Sequence, residues 1–162
     1  MTIKTEFTDE EWTQLLQAPG AAGILIMMSD PSFVVGSMKE AFAVSSSILD
    51  KDKGNNSELL TALLADFKEK EMAKQARLKF DKKDLNTIKQ TASDALKQAA
   101  RILDSKATAE ETAEIKGWLS DLSVKTANAA KEGGFLGFGG TKVSENEKVA
   151  LQEIADKLGV AG

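Results

Sequence analysis

Apolar residues recur at steps of three and four along several stretches of this chain, and that spacing leaves little choice of architecture. In the clearest stretch Leu85, Ile88, Ala92, Ala95, Leu96, Ala99, Ile102 and Leu103 fall on one face of a 3.6-residue helix. The same step carries Leu59, Leu60, Leu63, Leu64 and Phe67, and later Ile115, Trp118, Leu119, Leu122, Ala129 and Ala130. A last stripe runs through Val149 or Ala150, then Leu151, Ile154, Ala155 and Leu158. No segment alternates apolar and polar residues, with β-branched enrichment, for long enough to form a strand. At 162 residues the chain is long enough to bury a core. The pattern predicts an all-α, single-domain helical bundle of six or seven helices over residues 1–162, built around the two long helices that begin near Leu85 and Thr108. Alanines on those helices predict close helix approach.

Helix starts are marked by a repeated signature. Thr8 with Glu11, Thr108 with Glu111 and Ser144 with Glu147 each fit Ser/Thr-x-x-Glu. In that box the hydroxyl accepts the amide three residues on, and the glutamate accepts the cap's own amide. Phe7 and Trp12 stand at the spacing of a hydrophobic staple around the first box. The first helix is predicted from Asp9 to Ala18, ended by Pro19-Gly20. A short buried helix follows over Ala21 to Met28. Asp30 then caps a third helix, with Pro31 at its first position, running to about Leu49. A solvated loop reaches Asn56, and Ser57 opens a helix to about Lys70. The charge-dense stretch from Glu69 to Lys83 reads as a helix continuation or an exposed connection, tacked down by Leu78 and Phe80. Asp81 or Asp84 caps what comes next.

The absent residue types exclude much chemistry. The chain has no Cys, no His and no Tyr. Thiolate nucleophiles, disulfides and zinc–thiolate sites are therefore impossible. So are the Ser-His-Asp and Cys-His arrangements and the Glu-x-x-His pair of di-iron bundles. The usual base near neutral pH is missing, which predicts a protein that is not an enzyme and holds no cofactor. A net charge of −4 offers no global attraction to nucleic acid or anionic lipid. The run Ile24 to Met28, even extended upstream by Ala21, Ala22 and Gly23, is far shorter than the ~20 residues that span a bilayer. The first residues lack the basic start and apolar run of a signal peptide. A soluble, cytoplasmic protein is expected.

Gly133 to Gly140 reads Gly-Gly-Phe-Leu-Gly-Phe-Gly-Gly between two helical segments. Gly134 and Gly139 have the separation of a P-loop, but Gly140-Thr141 follows where Lys-Ser/Thr belongs, and a helix precedes it. Nucleotide binding is not expected. Phe135, Leu136 and Phe138 either plug the end of the bundle or insert into a partner's groove or a membrane surface. Burial worth about 1.5–3 kcal/mol for each such side chain favours the plug. If a surface carries function, the candidates are Phe135, Leu136, Phe138, Gly139, Gly140 and the helix start at Ser144, whose amides can attract an anion. Asp30 with Glu40, and Asp104 with Glu110 and Glu111, are the only carboxylate sets to weigh as hard-metal ligands. Neither has a calcium-loop spacing, so no metal is expected. Lys68, Lys70, Lys74, Arg77, Lys79, Lys82 and Lys83 form a basic-leaning stretch diluted by Glu69, Glu71, Asp81 and Asp84, and it reads as a solvated face.

The segment from Val143 to Gly159 resembles the closing helix of TerB-like tellurite-resistance domains, which are compact all-helical proteins. The resemblance implies a link to stress and toxic-anion resistance. The Asp-Gly that precedes the Val-Ser pair in those domains is replaced by Gly140-Thr141, so their metal role does not carry over. More broadly, Phe7 to Trp12, the Asp30-Pro-Ser element and Glu132 to Gly140 together look like a bacterial family of helical proteins. That similarity implies a helical fold and a bacterial origin and brings no activity with it. The expected role is a non-enzymatic interaction or stress-associated protein with a protein partner. The alternatives are a small-ligand binder, with an apolar pocket between helices, or a peripheral membrane protein using the 133–140 loop.

Overall fold

Three helix starts form as their residues dictate, and each is closed by the predicted pair of hydrogen bonds. Thr8 Oγ1 accepts the Glu11 amide at 3.2 Å while Glu11 Oε2 accepts the Thr8 amide at 2.8 Å. Thr108 with Glu111 and Ser144 with Glu147 repeat the pattern. The computed structural model describes residues 1–29, 56–81, 84–132 and 143–161, with 129–132 as backbone only. Among them lie a 3-10 turn, Lys4–Glu6, and six α-helices: α1 Asp9–Met27, α2 Glu58–Lys68, α3 Lys70–Gln75, α4 Leu85–Lys106, α5 Ala109–Glu132 and α6 Glu145–Leu158. The described residues contain no strand, and the fold is an all-α bundle. The predicted helix from Asp30 to Leu49 and residues 50–55 lie outside the described residues.

The first correction concerns Pro19, which does not end a helix. α1 runs through it to Met27, so the two predicted helices are one. The reason lies in burial. Every residue from Ala18 to Met27 is buried, and a buried peptide group has no water to bond. Breaking the helix there would orphan several backbone donors and acceptors at about 1–3 kcal/mol each. Keeping a proline inside costs about 3 kcal/mol once. Helix continuation is the cheaper outcome.

The second correction concerns the centre of the bundle. The prediction built the fold around the two longest helices, α4 and α5. Instead α1 lies in the middle and touches each of the other five described helices, α4 most extensively and α5 next. A helical segment apolar all round has to be surrounded; α1 is such a segment from Ala18 to Met27, and it sends Leu15, Leu16, Ala21, Ala22, Leu25 and Ile26 into the core. α4 contributes Ile88, Ala92, Leu96, Ala99 and Leu103, all fully buried. α5 contributes Ile115, Leu119 and Leu122, and α6 contributes Ala150, Ile154 and Leu158. One predicted stripe position proves to lie outside, and one open choice is decided. Leu85, the first residue of α4, is 49% exposed, and Val149 is 59% exposed, which leaves Ala150 as the inward residue of α6.

α2 packs its predicted face, Leu59, Leu60, Leu63, Leu64 and Phe67, into the core. The charge-dense stretch behind it does not extend α2. Glu69 leaves the helical backbone and its carboxylate accepts the amides of Glu71 and Met72, which starts the one-turn-and-a-half helix α3. Leu78 and Phe80 then fasten the connection to the core, and Asp84, rather than Asp81, caps α4. The staple forms as expected, with the Phe7 and Trp12 rings 5.6 Å apart. Trp12 Nε1 donates to Asp66 Oδ2 at 2.8 Å, and Lys4 pairs with the same carboxylate. The α1 start is thereby tied to α2. α6 ends at Gly159, whose φ of +70° is the left-handed conformation that only glycine adopts without strain.

Pro19→Ala follows as a test of this arithmetic. The change restores an N–H to bond the Leu15 carbonyl, a gain of about 3 kcal/mol on helix scales, and removes two buried methylenes at about 0.8 kcal/mol each. Urea unfolding should show the variant more stable by about 1 kcal/mol. A loss of stability would mean that the ring itself is a packing element.

Candidate functional site

Of the residues nominated from sequence, only Ser144 lies among the described ones. Phe135, Leu136, Phe138, Gly139 and Gly140 lie outside them. Ser144 Oγ accepts the Glu147 amide at 3.2 Å, and the buried Glu147 carboxylate accepts the Ser144 amide at 2.7 Å. Glu145 adds a second carboxylate to this first turn and pairs with Lys148 at 2.6 Å. The positive end of the α6 dipole already faces negative charge of its own. Ser144 thus serves as the cap of α6, with two carboxylates sharing its first turn.

The carboxylates weighed as metal ligands separate. Asp30 and Glu40 lie outside the described residues. Asp104 Oδ1 binds Lys116 Nζ at 2.6 Å, whereas Glu111 serves the opposite purpose of holding the chain's first residues. No group of three or more acidic side chains is placed to hold a metal among the described residues.

Two buried charges, Glu111 and Lys116, and the half-buried Glu114 act as struts. Glu111 is 6% exposed and receives the Thr2 amide at 2.9 Å and the Thr2 hydroxyl at 2.6 Å. The Thr108 amide and hydroxyl reach the same carboxylate at 3.0 and 2.9 Å. Burial pushes this carboxyl up, but the hydrogen bonds from Thr2 and Thr108 outweigh it and hold it down at about 2. Lys116 is 7% exposed and directs its ammonium to Asp104, close to Gly159 at the negative end of α6. Glu114 Oε1 accepts the Ser57 amide at 2.9 Å, fixing the start of α2 on α5, while its buried Oε2 has no partner among the described residues. Three more carboxylates are lowered by bonds of the same structural kind: Glu11 by Lys106, Glu69 by the Met72 amide and Asp84 by the Thr87 amide.

A concavity among the described residues lies elsewhere. An open groove of about 760 Å³ runs between α1, α3 and α4, within the size range of ligand sites. Thr13, Gln14 and Gln17 of α1 face Thr91, Ala95 and Gln98 of α4 across it, all half-buried. Glu71, Lys74 and Gln75 form the third wall, and Leu78 and Lys79 close one end. Two members of the basic-leaning stretch, Lys74 and Lys79, thus stand at a groove edge. Sequence reasoning missed the site because its residues are the polar complement of the apolar stripes. Positions 14 and 17, and 91, 95 and 98, keep helical spacing but carry no motif. By contrast the apolar seam between Leu63, Phe67, Pro19 and Trp118 encloses only about 10 Å³, room for no more than one water. It is no pocket for a ligand.

No helix among the described residues is long and apolar enough to cross a membrane. No family model, curated protein or solved structure matches the chain.

Two stability measurements check the strut and cap assignments. The depressed Glu111 carboxyl contributes stability that is full above pH 4.5 and is lost as pH falls towards 2. Glu111→Gln should lower urea stability at pH 7 by about 1–3 kcal/mol and flatten the acid limb of the stability curve. An acid limb identical to wild type would rule the strut out. Ser144→Ala should cost about 1 kcal/mol as the α6 start frays, and an unchanged unfolding midpoint would contradict the cap.

Proposed function

We propose that this chain is a non-enzymatic binding protein, a small bacterial interaction or stress-associated module that works in the cytoplasm and holds its partner in the groove between α1, α3 and α4. One observation carries the reading. The groove presents half-buried side-chain amides, Gln17 and Gln98, that make no hydrogen bond among the described residues. Half-buried polar groups without protein partners are held by water in the free state and are ready to exchange it for a ligand.

The disposition of charge supports binding over turnover. Glu111, Glu147 and Lys116, the charged residues buried most deeply among those described, are spent on helix ends and on the chain's first residues. Glu11, Glu69, Asp84 and Glu111 are all shifted downward, the direction opposite to that of a carboxyl tuned as a general acid. None of the four belongs to the groove. The bacterial and stress-related part of the reading rests on the resemblances carried by Phe7 to Trp12 and by Val143 to Gly159.

Photo-cross-linking tests it. A benzoylphenylalanine at Lys79, exposed at one end of the groove, should yield a discrete adduct in cells of the source organism. The same group at Asp121, exposed on α5 outside the groove, should yield none. Failure at Lys79, or equal adducts at both positions, would refute the groove as the working surface.

A further inference from the structure

Resting on that reading, we infer that the groove takes an extended stretch of polypeptide and reads it through its backbone amides. A primary amide offers one carbonyl acceptor and two N–H donors side by side. A peptide group in an extended chain presents the complementary pair. Gln17 and Gln98 supply such amides from facing helices, and Gln75 supplies a third from the wall. None of the three makes a hydrogen bond among the described residues.

Charge narrows the ligand class. Lys74 and Lys79 are matched in number by Glu71 and Asp94, and Lys74 is already paired with Glu71 at 2.8 Å. Asp94 in turn accepts the Gln90 amide at 2.9 Å. A polyanion gains little from a neutral wall, so nucleic acid is a poor fit. No aromatic side chain is among the residues lining the groove, so bases and sugar rings find no face to stack on. A peptide needs neither feature. Ala95 and Leu78 give the floor an apolar patch that accepts one small apolar side chain of the ligand. From Thr91 to Gln98 the floor covers eight helical residues, or seven rises of 1.5 Å, about 10 Å. That length matches about three residues of extended chain.

The experiment is selection from a random dodecapeptide phage library on the full chain, with the chosen peptides synthesised and titrated by fluorescence anisotropy. Binding should fall at least about tenfold, the effect of losing one net hydrogen bond or more, on two variants. Ala95→Trp fills the floor, and Gln17→Ala with Gln98→Ala removes the amides while keeping the groove open. Thermal melts of both variants verify folding, and the double alanine variant decides the matter should the tryptophan not be accommodated. Selected peptides that bind both variants as tightly as wild type overturn the inference. Panels of glycans and mononucleotides run in parallel separate the two levels. A glycan or nucleotide whose binding is lost on Ala95→Trp, with no peptide selected, overturns the peptide and leaves the groove a binding site. No ligand from any panel overturns both.

Discussion

Burial of the second half of α1 on all sides is the constraint from which the rest of the architecture follows. From Leu15 to Met27 the helix has almost no face left for water, and its backbone must bond within itself. That requirement overrides a proline and two glycines, whose intrinsic preferences argue for a break. It also decides the role of the longer helices. α4 and α5 are amphipathic, so each can cover only one side of α1, and α6 and α2 complete the cover. The most helix-like parts of the sequence thus become the wall, and the least helix-like part becomes the centre.

With the apolar groups committed to surrounding α1, charge is left to fix the ends. Glu11 binds Lys106 at 2.6 Å, joining the α1 start to the α4 end, and Lys106 also bonds the Glu6 carbonyl at 3.1 Å. Asp66 joins α2 to Trp12 and Lys4, Glu114 holds the α2 start, and Lys116 spans the α4 and α6 ends. These contacts sit where helices terminate, because a terminus carries both unpaired backbone groups and the dipole's partial charge. Half-exposed partners such as Asp104 keep each pair's desolvation cost small. Their contribution is register more than raw stability.

The two kinds of information were unequally legible in sequence. Caps are local, so Thr8, Thr108, Ser144 and Asp84 could be read from three or four neighbouring residues, and the structure has them in those roles. Amphipathic faces are also local, and the described stripe positions of α2, α4, α5 and α6 face or border the core except Leu85; of Val149 and Ala150 it is Ala150 that turns inward, and the Ala129 and Ala130 side chains lie outside the described residues. Pro19 was misread because the outcome depends on burial, which no window of neighbours reveals. The struts were invisible for a related reason. Thr2 and Glu111 meet across 109 residues, and nothing in either neighbourhood announces the other. The Phe135 to Gly140 segment, most conspicuous in sequence, lies outside the described residues.

The groove shows the deeper asymmetry. A core residue reveals itself because the hydrophobic effect needs a contiguous stripe, and a stripe has a period. A binding residue on the outer face of a helix obeys no such rule, since glutamine and threonine are equally at home in plain solvent. What makes Gln17 and Gln98 line a concavity is the third wall, and α3 begins where Glu69 leaves the helical backbone of α2 and its carboxylate accepts the first amides of the new helix. A continuous helix over that stretch would carry Gln75 away along the α2 axis. The concavity therefore depends on the bend at Glu69, which the carboxylate caps and which no apolar stripe announces.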